Sequence, residues 1–124
     1  MYTVVRFVAG TACSDETLRN LGSDLNVVSP GSFSRLDHRG RRFSVSASSA
    51  DDWEAHVNEV LAFVRKVASV IADGRAQDIS VVADIAVESE DLDGKVYLSY
   101  GVPLPVLVEF TQIGVAITFT FYGV

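Results

Sequence analysis

The residues able to do chemistry in this chain are few and scattered. His38 and His56 are the only imidazoles and Cys13 the only thiol. A structural zinc ion takes four Cys or His ligands, and neither histidine stands at ligand spacing from another His or from Cys13, so that class of site is closed. Cys13 precedes Ser14-Asp15-Glu16, where a helix N-terminus would stabilise a thiolate. With no histidine placed beside it, a small, partly buried thiol is the simpler expectation. His38 reads as a solvated turn residue and His56 as a residue on the flank of a helix. The acidic run Glu88 to Gly94 resembles a calcium loop, but setting Gly94 at the sixth position puts Ser89 first and Tyr100 twelfth, where a bidentate Glu is needed. No phosphate-cradling glycine loop is present, and Asp51-Asp52 is accounted for by helix capping. The expectation is a protein that is not an enzyme and carries no metal or cofactor.

One polar feature stands out. Arg35, Arg39, Arg41 and Arg42 crowd one turn; four arginines and one aspartate, Asp37, leave +3 there, so the remainder of a −6 chain carries −9. Forked guanidinium groups bind phosphate, carboxylate or an acidic partner. Ordinary solvated charge is the competing reading, and these four arginines are the candidate ligand-binding residues.

The elements that must position them follow from patterning. Tyr2 to Ala9 alternates as a strand. Ser14 caps a short helix whose Leu18 and Leu21 face inward and which Gly22 stops. Leu25 to Val28 is a short apolar run closed by Ser29-Pro30-Gly31. Ser32–Leu36 and Arg41–Ser48 flank His38-Arg39-Gly40 as the arms of a hairpin. Trp53, Val57, Val60, Leu61, Val64, Val67, Ala68 and Ile71 recur at helical spacing over about Asp51 to Ala72, after a capping box at Ser49 and Asp52, and Asp73-Gly74 ends that helix. Ile79, Val81, Ala83, Ile85 and Val87 alternate in a long central strand, and Asp93-Gly94 turns it into Val96–Tyr100. Pro103 and Pro105 open a third helix, with Leu107, Phe110 and Ile113 inward and Gly114 at its end. Val115 to Tyr122 is the last strand. The fold class is α+β: a two-layer sandwich of a mostly antiparallel sheet with three helices, one of them long, on one face.

The 124 residues, 48% of them apolar, suit a single domain, 1–124, with a core large enough to need no disulfide. A net charge of −6 disfavours nucleic acid, whose binding rests on Lys and Arg. No run approaches the ~18 apolar residues of a membrane span, and a lone cysteine fits a reduced, cytoplasmic setting. The run ending Gly10-Thr11-Ala12-Cys13 resembles a lipoprotein signal, but Arg6 lies inside its apolar stretch instead of before it.

Ser14 to Gly22 (Ser-Asp-Glu-Thr-Leu-Arg-Asn-Leu-Gly), Phe43-Ser44-Val45-Ser46 ahead of Trp53 to Val64, and the ending Leu104 to Tyr122 together resemble a bacterial family, Domain of unknown function 4279. The resemblance spans nearly the whole chain at the level of elements. It implies a strand, a short helix ending in Leu-Gly, a Pro/Gly turn and strand, a long helix, and a terminal helix-Gly-strand unit ending in an aromatic residue. No catalytic signature belongs to it, so no functional residue carries over, and residues 32–42 depart from its pattern. Some small acidic proteins of such families are immunity proteins, which makes toxin neutralisation a role the resemblance allows.

Two functions follow as expectations. The first is a non-catalytic binding protein, an immunity protein among its forms, with a basic protein partner steered by opposite potential. The second is a small-molecule or anion-binding domain using Arg35, Arg39, Arg41 and Arg42. A homodimer through Phe119, Phe121 and Tyr122 is open if the last strand is an exposed edge; the alternative is that these residues are core.

Overall fold

A computed structural model describes residues 2–28, 33–36, 40–45, 53–88 and 101–122. Of residues 33–36, 40–45, 88 and 122 it describes the backbone alone. The elements are β1 (Tyr2–Ala9), α1 (Asp15–Val28), β2 (Phe33–Leu36), β3 (Gly40–Val45), α2 (Trp53–Lys66), α3 (Ala68–Arg75), β4 (Ile79–Glu88), α4 (Leu104–Ile113) and β5 (Val115–Tyr122). The expected α+β sandwich is the observed one. Five strands lie in the order β2-β3-β1-β4-β5. The pairs β2/β3, β3/β1 and β1/β4 are antiparallel, and β4/β5 is parallel because α4 carries the chain back across the sheet.

The pleat sorts the strands into two faces. Val5, Phe7 and Ala9 of β1 share one face with Ile79, Val81 and Ala83 of β4 and Val115 of β5. These residues form one core with Leu18, Leu21 and Leu25 of α1, Val60 and Val64 of α2, Val70 and Ile71 of α3 and Phe110 of α4. All four helices therefore pack on that face. The opposite face carries Val4, Arg6 and Val8 of β1, Ser80, Val82, Asp84 and Ala86 of β4, and Ala116, Thr118 and Thr120 of β5.

Three boundaries differ from expectation. Gly22 does not stop α1: Leu18, Leu21 and Leu25 continue one buried stripe through it to Val28, and that burial outweighs the ~1 kcal/mol that a mid-helix glycine costs. The long helix is two, because Val67 (φ −101°, ψ 11°) interrupts it. Its amide still bonds Phe63 O at 3.1 Å and its carbonyl receives Ile71 N at 3.0 Å, so both bonds of Val67 to the helical ladder are kept. Among the described residues there are thus four helices where three were expected. Nor does Asp73-Gly74 end α3, which runs to Arg75. Gly74 is buried where a Cβ would stand 3.3 Å from Ile79 Cβ, and the left-handed residue of the reversal is Asp78 (φ 62°).

Asp78 is tied in place by bonds to the distant loop after β1. Its carboxylate Oδ2 accepts from Ala12 N at 3.0 Å and its carbonyl from Gly10 N at 2.7 Å. A Cβ on Gly10 would lie 2.1 Å from Asp78 Oδ2, so any larger residue there must displace that carboxylate. Other expectations hold as read. Ser14 Oγ accepts from Thr17 N at 3.1 Å as the cap of α1. Pro103 precedes α4, and Gly114, left-handed at φ 98°, ends it. The inward residues of α4 are Val106, Phe110 and Ile113, whereas Leu107 is exposed. The capping box at Ser49 and Asp52, the hairpin tip His38-Arg39 and the turn at Asp93-Gly94 with Val96–Tyr100 lie outside the described residues.

Candidate functional site

The arginine turn is only partly brought together. Arg35 is on β2, Arg41 and Arg42 are on β3, and Arg39 lies outside the described residues. The register sets Arg41 opposite Phe7 and Arg42 opposite Arg6, so neighbouring arginines fall on opposite faces of the sheet. Arg42 is placed on the face of Arg6, opposite the described helices, and Arg41 on the helix side.

On that face, opposite the described helices, the structure builds a polar cluster absent from the sequence-level candidates. Asp84, in the middle of β4, receives two hydroxyl donors on Oδ1, Thr120 Oγ1 at 2.7 Å and Thr118 Oγ1 at 3.1 Å. Arg6 Nη2 stands 4.0 Å from Oδ2, the diagonal neighbour across the β1/β4 ladder. The Asp84 side chain is 15% exposed and that of Arg6 32%. The two donors fix the orientation of the carboxylate before anything binds. Two signals mark the cluster in the sequence: Arg6 is the one charged residue of the Tyr2–Ala9 alternation, and Asp84 interrupts the Ile79–Val87 alternation in its middle.

The same face opens toward the start of β4 and β5. Arg75, Asp78, Ser80, Val82 and Ala116 line a notch of about 350 Å³ there. The Arg75 guanidinium crosses Gly114, with Nη1 at 2.7 Å from where a Cβ would be. It thereby sits at the C-terminus of α4, the end of a helix that favours cations. Val8, Ala116 and Thr118 are exposed, whereas Val4 and Ala86 further along are buried. A second cleft, about 390 Å³, lies between α1 and α3 over Leu21 and Val70, where Thr17 Oγ1 donates to Gln77 Oε1 at 2.9 Å.

His56 is not a flank residue. It is fully buried, with Nε2 2.6 Å from Thr3 Oγ1, itself fully buried. Nδ1 has no partner. An Nε2–H tautomer that donates to Thr3 leaves only a lone pair unpaired, which costs less than an orphaned N–H. The Trp53 ring stacks on it at 6.2 Å and reaches Phe119 at 6.0 Å, and Trp53 Nε1 donates to Gly101 O at 2.7 Å. Burial holds the His56 pKa below its usual 6.5, with Glu59 opposing in part. The sequence carried the signal, since His56 stands three residues after Trp53 and four before Val60 on the buried stripe of α2. Cys13 is buried as a small thiol, its Sγ 3.6 Å from Ser14 O.

Among the described residues no three His, Cys, Asp or Glu side chains group to hold a metal ion, and no helix is long and apolar enough to cross a membrane. Compared with family models, with curated proteins and with solved structures, the chain matches none.

Proposed function

We propose that the chain is a non-catalytic binding protein of the cytoplasm that holds a basic protein partner against the face of its sheet opposite the described helices. The observation that carries this reading is the Asp84 cluster: a carboxylate fixed by Thr118 and Thr120 in the middle of a sheet face that no described helix covers. A pre-ordered acceptor loses little freedom when a donor from a partner docks on it. The charge of −6 steers a basic surface toward the chain. Neutralisation of a toxin, as an immunity protein, is the particular form proposed. Membership of Domain of unknown function 4279 belongs to the same proposal and is supported by the order of elements from β1 to β5. The test is capture of the partner from the native cells by the wild type and by Asp84→Ala, both checked for an intact fold. A basic protein held by the wild type and lost from the variant supports the reading, and equal capture by both refutes it.

A second reading, anion binding by the arginines, is favoured by the register that sets Arg42 opposite Arg6. Arginines at paired positions across one ladder rung are the residue type that binds phosphate or carboxylate. Phosphate should then raise the melting temperature of the wild type and not that of Arg42→Ala; an equal rise in both removes Arg42 from the site.

A further inference from the structure

The two edges of the sheet are built differently. β2 is four residues long, contains Arg35 and shifts register against β3 between Phe33 and Leu36. Short length, charge and irregular pairing are the means by which natural edges avoid adding another strand. β5 has none of them. It is eight residues long, Val-Ala-Ile-Thr-Phe-Thr-Phe-Tyr, without a charge, a proline or a glycine, and among the described residues it has a neighbour, β4, on one side only. Its helix-side residues grow more exposed along the strand, from buried Val115 to Phe121 at 62%. Beside it, α4 shows Leu104, Leu107 and Val108 to solvent.

The pattern of β5 also says what fits there. Antiparallel pairing of two copies about a two-fold axis at Phe119 sets Phe119 opposite Phe119, Ile117 opposite Phe121 and Thr118 opposite Thr120. Apolar residues then meet apolar ones on the helix side and hydroxyls meet hydroxyls on the other, as an isologous contact demands. Two chains of charge −6 repel, and the uncharged β5 is the edge on which they can close without adding like charges at the seam.

We infer that β5 pairs antiparallel with β5 of a second copy of this chain. The dimer carries one continuous sheet, and the two Asp84 clusters lie on the same side of it. The seam shares Thr118 and Thr120 with the Asp84 cluster, but one proposal is read by mass and the other by partner capture, so the two fail separately.

Light scattering coupled to size exclusion tests it on the full chain. The expected mass is twice 13.4 kDa for the wild type and 13.4 kDa for Phe121→Lys, with the circular dichroism of the two unchanged. A wild-type mass of 13.4 kDa at every concentration, or a doubled mass that survives Phe121→Lys, overturns the inference. Should the variant misfold, amide exchange of the wild type decides: slower exchange in β5 at high concentration than at low is expected, and equal exchange refutes it.

Discussion

Acid should weaken this fold earlier than its carboxylates require, and His56 is the reason. In the folded chain the ring is fully buried and its pKa lies below 6.5, whereas in the unfolded chain it returns to its ordinary value. Below pH 6.5 the unfolded state therefore binds a proton that the folded state refuses. Stability rises with pH wherever the unfolded state holds more protons, so this contribution is complete above 6.5 and falls as the pH drops toward the folded pKa. One proton of difference gives a slope of about 1.4 kcal/mol per pH unit. Typical domains are stable by about 5–15 kcal/mol, so each pH unit removes a substantial share. Trp53, the only tryptophan, stacks on His56 and reports the transition by fluorescence. Urea unfolding at steps between pH 7.5 and 5.5 should show the slope in the wild type and in His38→Ala, and lose it in His56→Gln. Equal slopes in the wild type and His56→Gln would refute the reasoning.

Further outcomes follow from single contacts. Gly10→Ala should destabilise by about 1–3 kcal/mol, since the new methyl displaces the Asp78 carboxylate from Ala12 N; adding Asp78→Gly should recover part of the loss, and independent losses in urea unfolding would deny that contact. Gly114→Ala forces a side chain to φ 98° against Arg75 and should cost about 1–2 kcal/mol by the same assay. Arg65→Ala removes the pair with Glu109, Nη2–Oε2 at 2.7 Å, yet the Arg65 side chain is 58% exposed, so the loss should stay under ~1 kcal/mol. Phe110→Ala opens the core below α4 and should cost ~3–5 kcal/mol.

What the sequence disclosed, it disclosed through local rules. The β4 alternation, the Ser14 cap and the Pro103-to-Gly114 limits of α4 each depend on neighbours within a few residues, and each stands where patterning puts it. Misread features depend on distant partners. Gly22 stays helical because Leu25 is buried against the sheet, and Gly74 is chosen by Ile79 instead of by a turn. His56 is inside because Thr3, fifty-three positions away, meets its ring. The site shows the same division. Arginines close in sequence drew notice, yet a strand sends adjacent residues to opposite faces, so Arg41 and Arg42 part company. Arg6, Asp84, Thr118 and Thr120 come together only through the pairing of three strands, and no spacing along one segment encodes that.

The role of the Asp84 face is tested most directly by binding. Once the basic protein captured from native cells is purified, its affinity for the wild type and for Asp84→Ala can be measured by calorimetry, with Phe121→Lys as a control away from the cluster. Loss of a charge-assisted hydrogen bond of about 1.5–3 kcal/mol predicts binding weakened roughly ten- to hundred-fold in Asp84→Ala. Affinity unchanged by Asp84→Ala would contradict the account and place the binding surface elsewhere.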